Sequence, residues 1–269
     1  MFLKAANRWQ AFGFHLFISA ALFVVLAAII YFWWYPGILF QNDGGLEGIK
    51  LVASVDFFIG PLLTLFVYKL GKKSLPFDLA FIAVLQAFCL AGGMWTVWQT
   101  RPVAVVYAMG AFRSIPYQSF KDYGIDPHDV PALQGKWPAW VAVEMPVEKW
   151  AKFKQGSAAI SGIIDQKVFF EAAYYVPLSQ VVSSLDAAGK SPEAIIGFPA
   201  LREGEQRASG EHIKYFPAGF GVGAGYMAVD TATGAAQGFV VLIPREKSLL
   251  DRLRQAEVLL VKFFDRFRQ

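Results

Sequence analysis

Residues 12–35 read FGFHLFISAALFVVLAAIIYFWWY. No charge interrupts the run, and only His15 and Ser19 bring polarity to its first third. The hydrocarbon core of a bilayer is about 30 Å thick and takes about 20 apolar helical residues, so this run predicts a transmembrane helix. It leaves through Tyr31-Phe32-Trp33-Trp34-Tyr35. A cleaved signal peptide has a shorter apolar core that ends in small residues, whereas Trp and Tyr collect at the membrane–water boundary. The aromatic cluster therefore reads as an interfacial belt.

Working outward, a second run at about 49–68 is broken only by Asp56, and a third at about 77–98 has Gln86 as its most polar member. Three such runs inside the first hundred residues predict a three-helix membrane region. Lys4 and Arg8 precede the first run, and Lys69, Lys72 and Lys73 lie between the second and third. The loop between the first two holds Asp43, Glu47 and one cation, Lys50. Basic residues stay on the cytoplasmic side, which places the N-terminus in the cytoplasm and everything after Trp98 across the membrane. The expectation is a bacterial inner-membrane protein with a membrane region at 1–100, a periplasmic domain at 101–247 and a C-terminal helix at 248–269.

Composition agrees with that division. Hydrophobic residues make up 55% of the 269, yet only ten of the 46 Lys, Arg, Asp and Glu residues fall before Arg101. Segment 101–247 carries 14 basic and 14 acidic residues despite the overall charge of +4. A neutral domain lacks the clustered basic face that nucleic acid requires, so no nucleic-acid partner is expected. Cys89 is the sole cysteine, which leaves no disulfide framework and no zinc spacing.

After the third run, Val103–Ala108 and Ala111–Ile115 flank Met109-Gly110 and read as a hairpin. Trp140–Glu144 is a further strand. Tyr226–Asp230 and Phe239–Ile243 flank the turn Thr231-Ala232-Thr233-Gly234 and form a second antiparallel pair. Helical stretches are expected at 116–123, 147–155 and 178–188. The fold class that follows is a membrane protein with an α+β extracytoplasmic domain built on an antiparallel sheet. From Ser248 onward, Leu249, Leu253, Ala256, Leu260 and Phe267 recur on one helical face, which predicts an amphipathic helix that closes the domain core, lies on the membrane or docks a partner helix.

The combination Trp34-Tyr35-Pro36-Gly37, Asp43-Gly44-Gly45, Val55-Asp56, Gly60-Pro61-Leu62-Leu63-Thr64-Leu65, Phe77-Asp78-Leu79 and Arg101-Pro102 resembles the TfpX/TfpZ family of type IV pilin accessory proteins. The likeness extends more loosely to Val106-Tyr107-Ala108 and Tyr215-Phe216-Pro217. It implies a non-enzymatic protein that helps assemble or display a type IV major pilin, its membrane region meeting the pilin's membrane helix and its outer domain the globular head. Where such a protein is expected to carry a charged strand before its last hairpin, this chain has Phe220-Gly221-Val222-Gly223-Ala224-Gly225, which reads as a flexible connection.

Several residues are candidates for partner binding. Asp56 lies within the second run, where a carboxylate costs about 2.5–3.5 kcal/mol and must face protein or water; it either contacts a partner helix or serves as a structural hydrogen bond. Gly60 and Pro61 follow, and proline's missing N–H predicts a kink. Asp43, Gly44 and Gly45 form a turn signature that is either only a turn or a piece packed beneath the domain. Asp78 starts the third run, where it can answer Lys72 and Lys73, and Gln86 is placed to hydrogen-bond across the bundle. Enzyme signals are poor. His15, His128 and His212 have no ligand-spaced companions, no GxSxG occurs, and no cofactor or metal site is expected. Asp126-Pro127-His128-Asp129 reads as a solvated loop. A membrane-anchored sensor or small-molecule-binding protein is the alternative reading.

Overall fold

The computed structural model describes residues 7–54, 60–135, 137–151, 166–191, 194–195 and 210–244. Helix α1 (Arg8–Ile29) begins where the Asn7 side chain accepts a hydrogen bond from the Gln10 amide at 2.9 Å, and it runs on through one wide π turn, Ile30–Trp34, at the aromatic cluster. Helix α5 (Leu75–Thr100) opens with a proline in its first turn, where the absent N–H has no helical partner to lose. Asp78, at the helix start, pairs with Lys72 at 2.7 Å and accepts from Ser74 at 3.1 Å, as its place in the sequence leads one to expect.

Arg8–Trp34 and Leu75–Thr100 are both long and apolar enough to cross a membrane, and most of their large side chains face outward. Phe17, Phe77 and Phe88 are all exposed. A helix that is apolar all round and uncovered by protein needs an apolar solvent. Between the long helices lie α2 (Ile38–Asn42), α3 (Gly45–Ala53) and α4 (Gly60–Val67). The end of α3 and the whole of α4 fall within 49–68, where the second span was expected, and among the described residues neither helix is long enough by itself to cross a membrane. Asp56 and the rest of 55–59, which lead into the kink expected at Pro61, lie outside the described residues.

The chain leaves α5 directly into a seven-stranded sheet. Its strands are β1 (Pro102–Ala108), β2 (Ala111–Pro116), β3 (Ala139–Val143), β4 (Tyr175–Pro177), β5 (Ile213–Phe220), β6 (Gly223–Asp230) and β7 (Ala236–Pro244), in the order β4-β3-β1-β2-β5-β6-β7. Both expected hairpins are present, β1 with β2 and β6 with β7. The sheet is mixed rather than antiparallel, because β3 lies parallel to β1 and β5 parallel to β2. Each of these strands arrives by a long crossover, and only such a connection lets two strands run the same way side by side. The segment 221–225, expected as a flexible connection, is instead the tight turn Gly221-Val222 and the start of β6, whose Gly223–Gly225 pair in register with β5.

Helix α6 (Tyr117–Asp122) and helix α7 (Val182–Ala188, after a 3-10 turn at Leu178–Gln180) fall where helices were expected. Residues 147–151 are helical, and the rest of that stretch lies outside the described residues, as does the whole C-terminal segment 245–269 with its expected amphipathic helix. Loop 126–129 is a single 3-10 turn in which Asp126 accepts from the His128 amide and pairs with Lys121.

Alternation along the strands divides the sheet's side chains between two cores. On one face Ala104, Val106, Ile115 and Val141 pack against Phe120, Leu133, Val168 and Phe169. On the other, Val105, Phe112, Phe216 and Met227 are continuous with Ile30, Tyr35, Leu39, Val52 and Val97 of the helices. One apolar core thus runs without a break from the helix ends into the sheet, so the sheet is seated on the helices rather than tethered to them.

Candidate functional site: two polar joints

Inside the apolar contact lie two clusters of hydrogen-bonding side chains. The first joins the α2–α3 loop to the sheet. Gly44 caps α3 with φ of 107°, a left-handed conformation that glycine adopts without a Cβ clash, and a Cβ on Gly45 would come within 2.9 Å of both the Phe40 carbonyl oxygen and the Tyr35 side chain. That tight reversal presents Asp43 to the β5–β6 turn. Its Oδ1 accepts from the Gly221 amide at 2.6 Å, its Oδ2 accepts from the Ser114 hydroxyl of β2, and the Asn42 carbonyl accepts from the Val222 amide at 3.0 Å. Among the described residues no cation acts on Asp43. Desolvation therefore outweighs the two hydrogen bonds and pushes its pKa up to about 6.

The second cluster sits among α1, α4 and α5. His15 Nδ1 is 2.6 Å from Thr64 Oγ1 and Nε2 is 2.8 Å from Gln86 Oε1, while Gln86 Nε2 donates to Ser19 Oγ at 3.3 Å. The Thr64 hydroxyl lies 3.1 Å from the Gly60 carbonyl, its own helix's acceptor four residues back. Gly60 and Pro61 are buried, and a Cβ on Gly60 would overlap the Gln86 amide group. Three helices are thereby cross-linked by polar side chains where the surroundings offer few other partners, which is how polar residues hold membrane bundles.

The candidates from sequence divide between these joints. Asp43, Gly44 and Gly45 build the first, packed beneath the domain. Gly60, Pro61 and Gln86 belong to the second. Gln86 lies 14 residues before the sheet end of α5, about 21 Å along a helix that rises 1.5 Å per residue, so the two groups do not converge. Asp56 lies outside the described residues. The sequence showed His15 and Ser19 only as polar breaks in an apolar run and did not pair them or Thr64 with anything, because their partners stand 49 to 71 positions away. The available signal was a histidine in an otherwise apolar span.

The chain is similar to fimbrial assembly proteins of Dichelobacter nodosus. It is 31% identical over 103 residues to the protein of serogroups C1 and C2, a match covering 38% of this chain and 79% of that one. Identity and length are the same for the proteins of serogroup E1 and serogroup I, where the match covers 40% of each. No protein-family profile matches the chain, and no solved structure does. The long apolar helices and these relatives together support association with a membrane.

Proposed function

The chain belongs to the fimbrial assembly protein family, and from that premise we propose that it is an inner-membrane accessory protein, or chaperone, of a type IV pilus. It acts by binding a cognate major pilin and helping its assembly or surface display, without chemistry of its own. The observation that carries this reading is the relationship to proteins named for fimbrial assembly over most of the length of one of them. Its finer form, a member of the TfpX/TfpZ type with three spans, a cytoplasmic N-terminus and a periplasmic sheet domain, rests on the sequence pattern and the charge of the loops.

The architecture supports it physically. A pilin offers an apolar helix in the membrane and a folded head outside, and a protein that handles both needs two surfaces held in fixed relation. The unbroken core from Ile30, Tyr35 and Val97 to Phe112 and Phe216 supplies that rigidity. The lipid bilayer covers the outward faces of α1 and α5. Loss and rescue test the proposal: cells lacking the protein should make pilin but display fewer pili, and the full chain should restore them. Unchanged pilus display would contradict it.

A further inference from the structure

At the sheet end of α5 a cation is taken almost wholly out of water. Arg101 is 3% exposed. Its guanidinium carbon lies 3.2 Å from the centre of the Trp98 ring, 4.8 Å from that of Tyr117 and 5.0 Å from that of Trp137. Nη1 donates to the Trp98 carbonyl at 2.8 Å, which fixes the plane of the group. Nη2 is buried and has no hydrogen-bond acceptor among the described residues.

Three aromatic faces attract the charge but give the N–H edge no lone pair. A buried charge is ordinarily paired, and a buried donor ordinarily has an acceptor. Neither holds here. Among the described residues the ionisable groups that act on Arg101 are the phenols of Tyr117 and Tyr35, with no carboxylate among them, and burial brings its pKa down to about 10, so the group remains a cation at neutral pH. Its place in the fold suggests the missing partner. Trp34 and Trp98 meet edge to face at 5.4 Å, and Trp98 contacts Tyr117 at 6.3 Å, which makes an aromatic belt where the apolar helix ends. In a bilayer that level is the headgroup layer, rich in phosphate oxygens. Trp137, the outermost wall of the box, is half-buried and borders an open cleft of about 240 Å³ lined by His128, Leu133, Gln134 and Gly135.

We propose that Arg101 in its Trp98–Tyr117–Trp137 box is a phosphate-binding site, its Nη2 edge taking an oxygen of a phosphate group that enters on the cleft side once Trp137 gives up the hydrogen bond its Nε1 donates to the Leu133 carbonyl at 2.6 Å. Guanidinium suits this task because its planar donors match phosphate oxygens. The phosphate comes from a phospholipid headgroup in the leaflet nearest the sheet or from free phosphate in solution. The lipid source rests on the reading of α5 as a membrane span, whereas the site itself does not depend on pilin binding.

The test uses the full chain in phosphate-free detergent, with retention read by native mass spectrometry. The probes are inorganic phosphate, dihexanoyl phosphatidylglycerol and, as a phosphate-free control, dihexanoyl glycerol. Phosphatidylglycerol should be retained at least tenfold more tightly than dihexanoyl glycerol, and Arg101→Gln should remove that preference. Arg101→Lys, which keeps the charge but loses the planar edge, should reduce it. Equal affinity for inorganic phosphate would identify free phosphate as the source, and retention of the lipid alone would identify the headgroup. Equal retention of phosphatidylglycerol and dihexanoyl glycerol by the wild-type chain overturns the proposal even if Arg101→Gln fails to fold. So does a folded Arg101→Gln that keeps the wild-type preference. Pilin cross-linking, measured separately, is expected to be unaffected by any of the three probes.

Discussion

Replacing Asp43 should change how firmly the sheet is seated on the helices, and the direction depends on pH. The folded-state pKa of about 6 stands above the ordinary 3.8, so the seated form binds the proton more tightly than the open form does. The contribution of Asp43 to seating is therefore fully present below about pH 4 and is lost as pH rises through about 6. Two pKa units correspond to about 3 kcal/mol, an upper limit because the residue as a whole is half-buried and water screens part of the effect. Asp43→Asn removes the charge while its amide oxygen still accepts from Gly221, so seating should become independent of pH. Asp43→Ala leaves the Gly221 amide without that acceptor, which costs about 1–3 kcal/mol. Hydrogen exchange at the Gly221 and Val222 amides, corrected for the intrinsic pH dependence of exchange, reports the opening. Wild-type protection should fall by a factor of about 5 to 150 between pH 4 and 7.5 as 1–3 kcal/mol is lost. Asp43→Asn should show no such fall, and Asp43→Ala should be poorly protected throughout. The same pH dependence in wild type and Asp43→Asn would refute the reasoning.

At the inner joint, Gly60→Ala gains about 1 kcal/mol of helix propensity but drives a methyl into the Gln86 amide, so the melting temperature in detergent should fall; in a Gln86→Ala background, which already lacks the bonds to His15 and Ser19, the same Gly60→Ala change should cause no further fall. His15→Leu should cost about 1–2 kcal/mol in the same assay, since interhelical hydrogen bonds in membranes average about 0.6 and seldom exceed about 2 kcal/mol, and two are lost. An unchanged melting temperature would mean that the cluster holds nothing together. For topology, reporters fused after Lys73 and within the Thr231–Gly234 turn should report opposite compartments, the first cytoplasmic. A shared compartment would remove the three-span arrangement.

What the sequence made legible was what repeats along it. Apolar length marked α1 and α5, and short β-branched or apolar runs flanking turn residues marked the β1–β2 and β6–β7 hairpins. Asp43-Gly44-Gly45 was recognised as a turn, and Gln86 as a residue placed to bond across the bundle. The parallel pairings were not legible, because which side of β1 or β2 a distant strand joins is settled by packing and leaves no local pattern. Strand β5 was missed since Pro217 and Gly219 interrupt its β-forming residues, although Tyr215 and Phe216 are both buried. Gly221–Gly225 has the composition of a loop, and only pairing with β5 makes most of it a strand. The His15 cluster and the Arg101 box each draw on residues from separate elements, so neither exists as a motif.

The central claim, that this protein works by holding a pilin, is met most directly by photo-cross-linking in native membranes. The probes are p-benzoylphenylalanine placed at Phe88 on the outward face of α5 and at Val147 on the domain, both well exposed. The account predicts an adduct with the major pilin from at least one position, lost when the pilin is absent. Strong adducts with other proteins at both positions, and none with pilin, would contradict it.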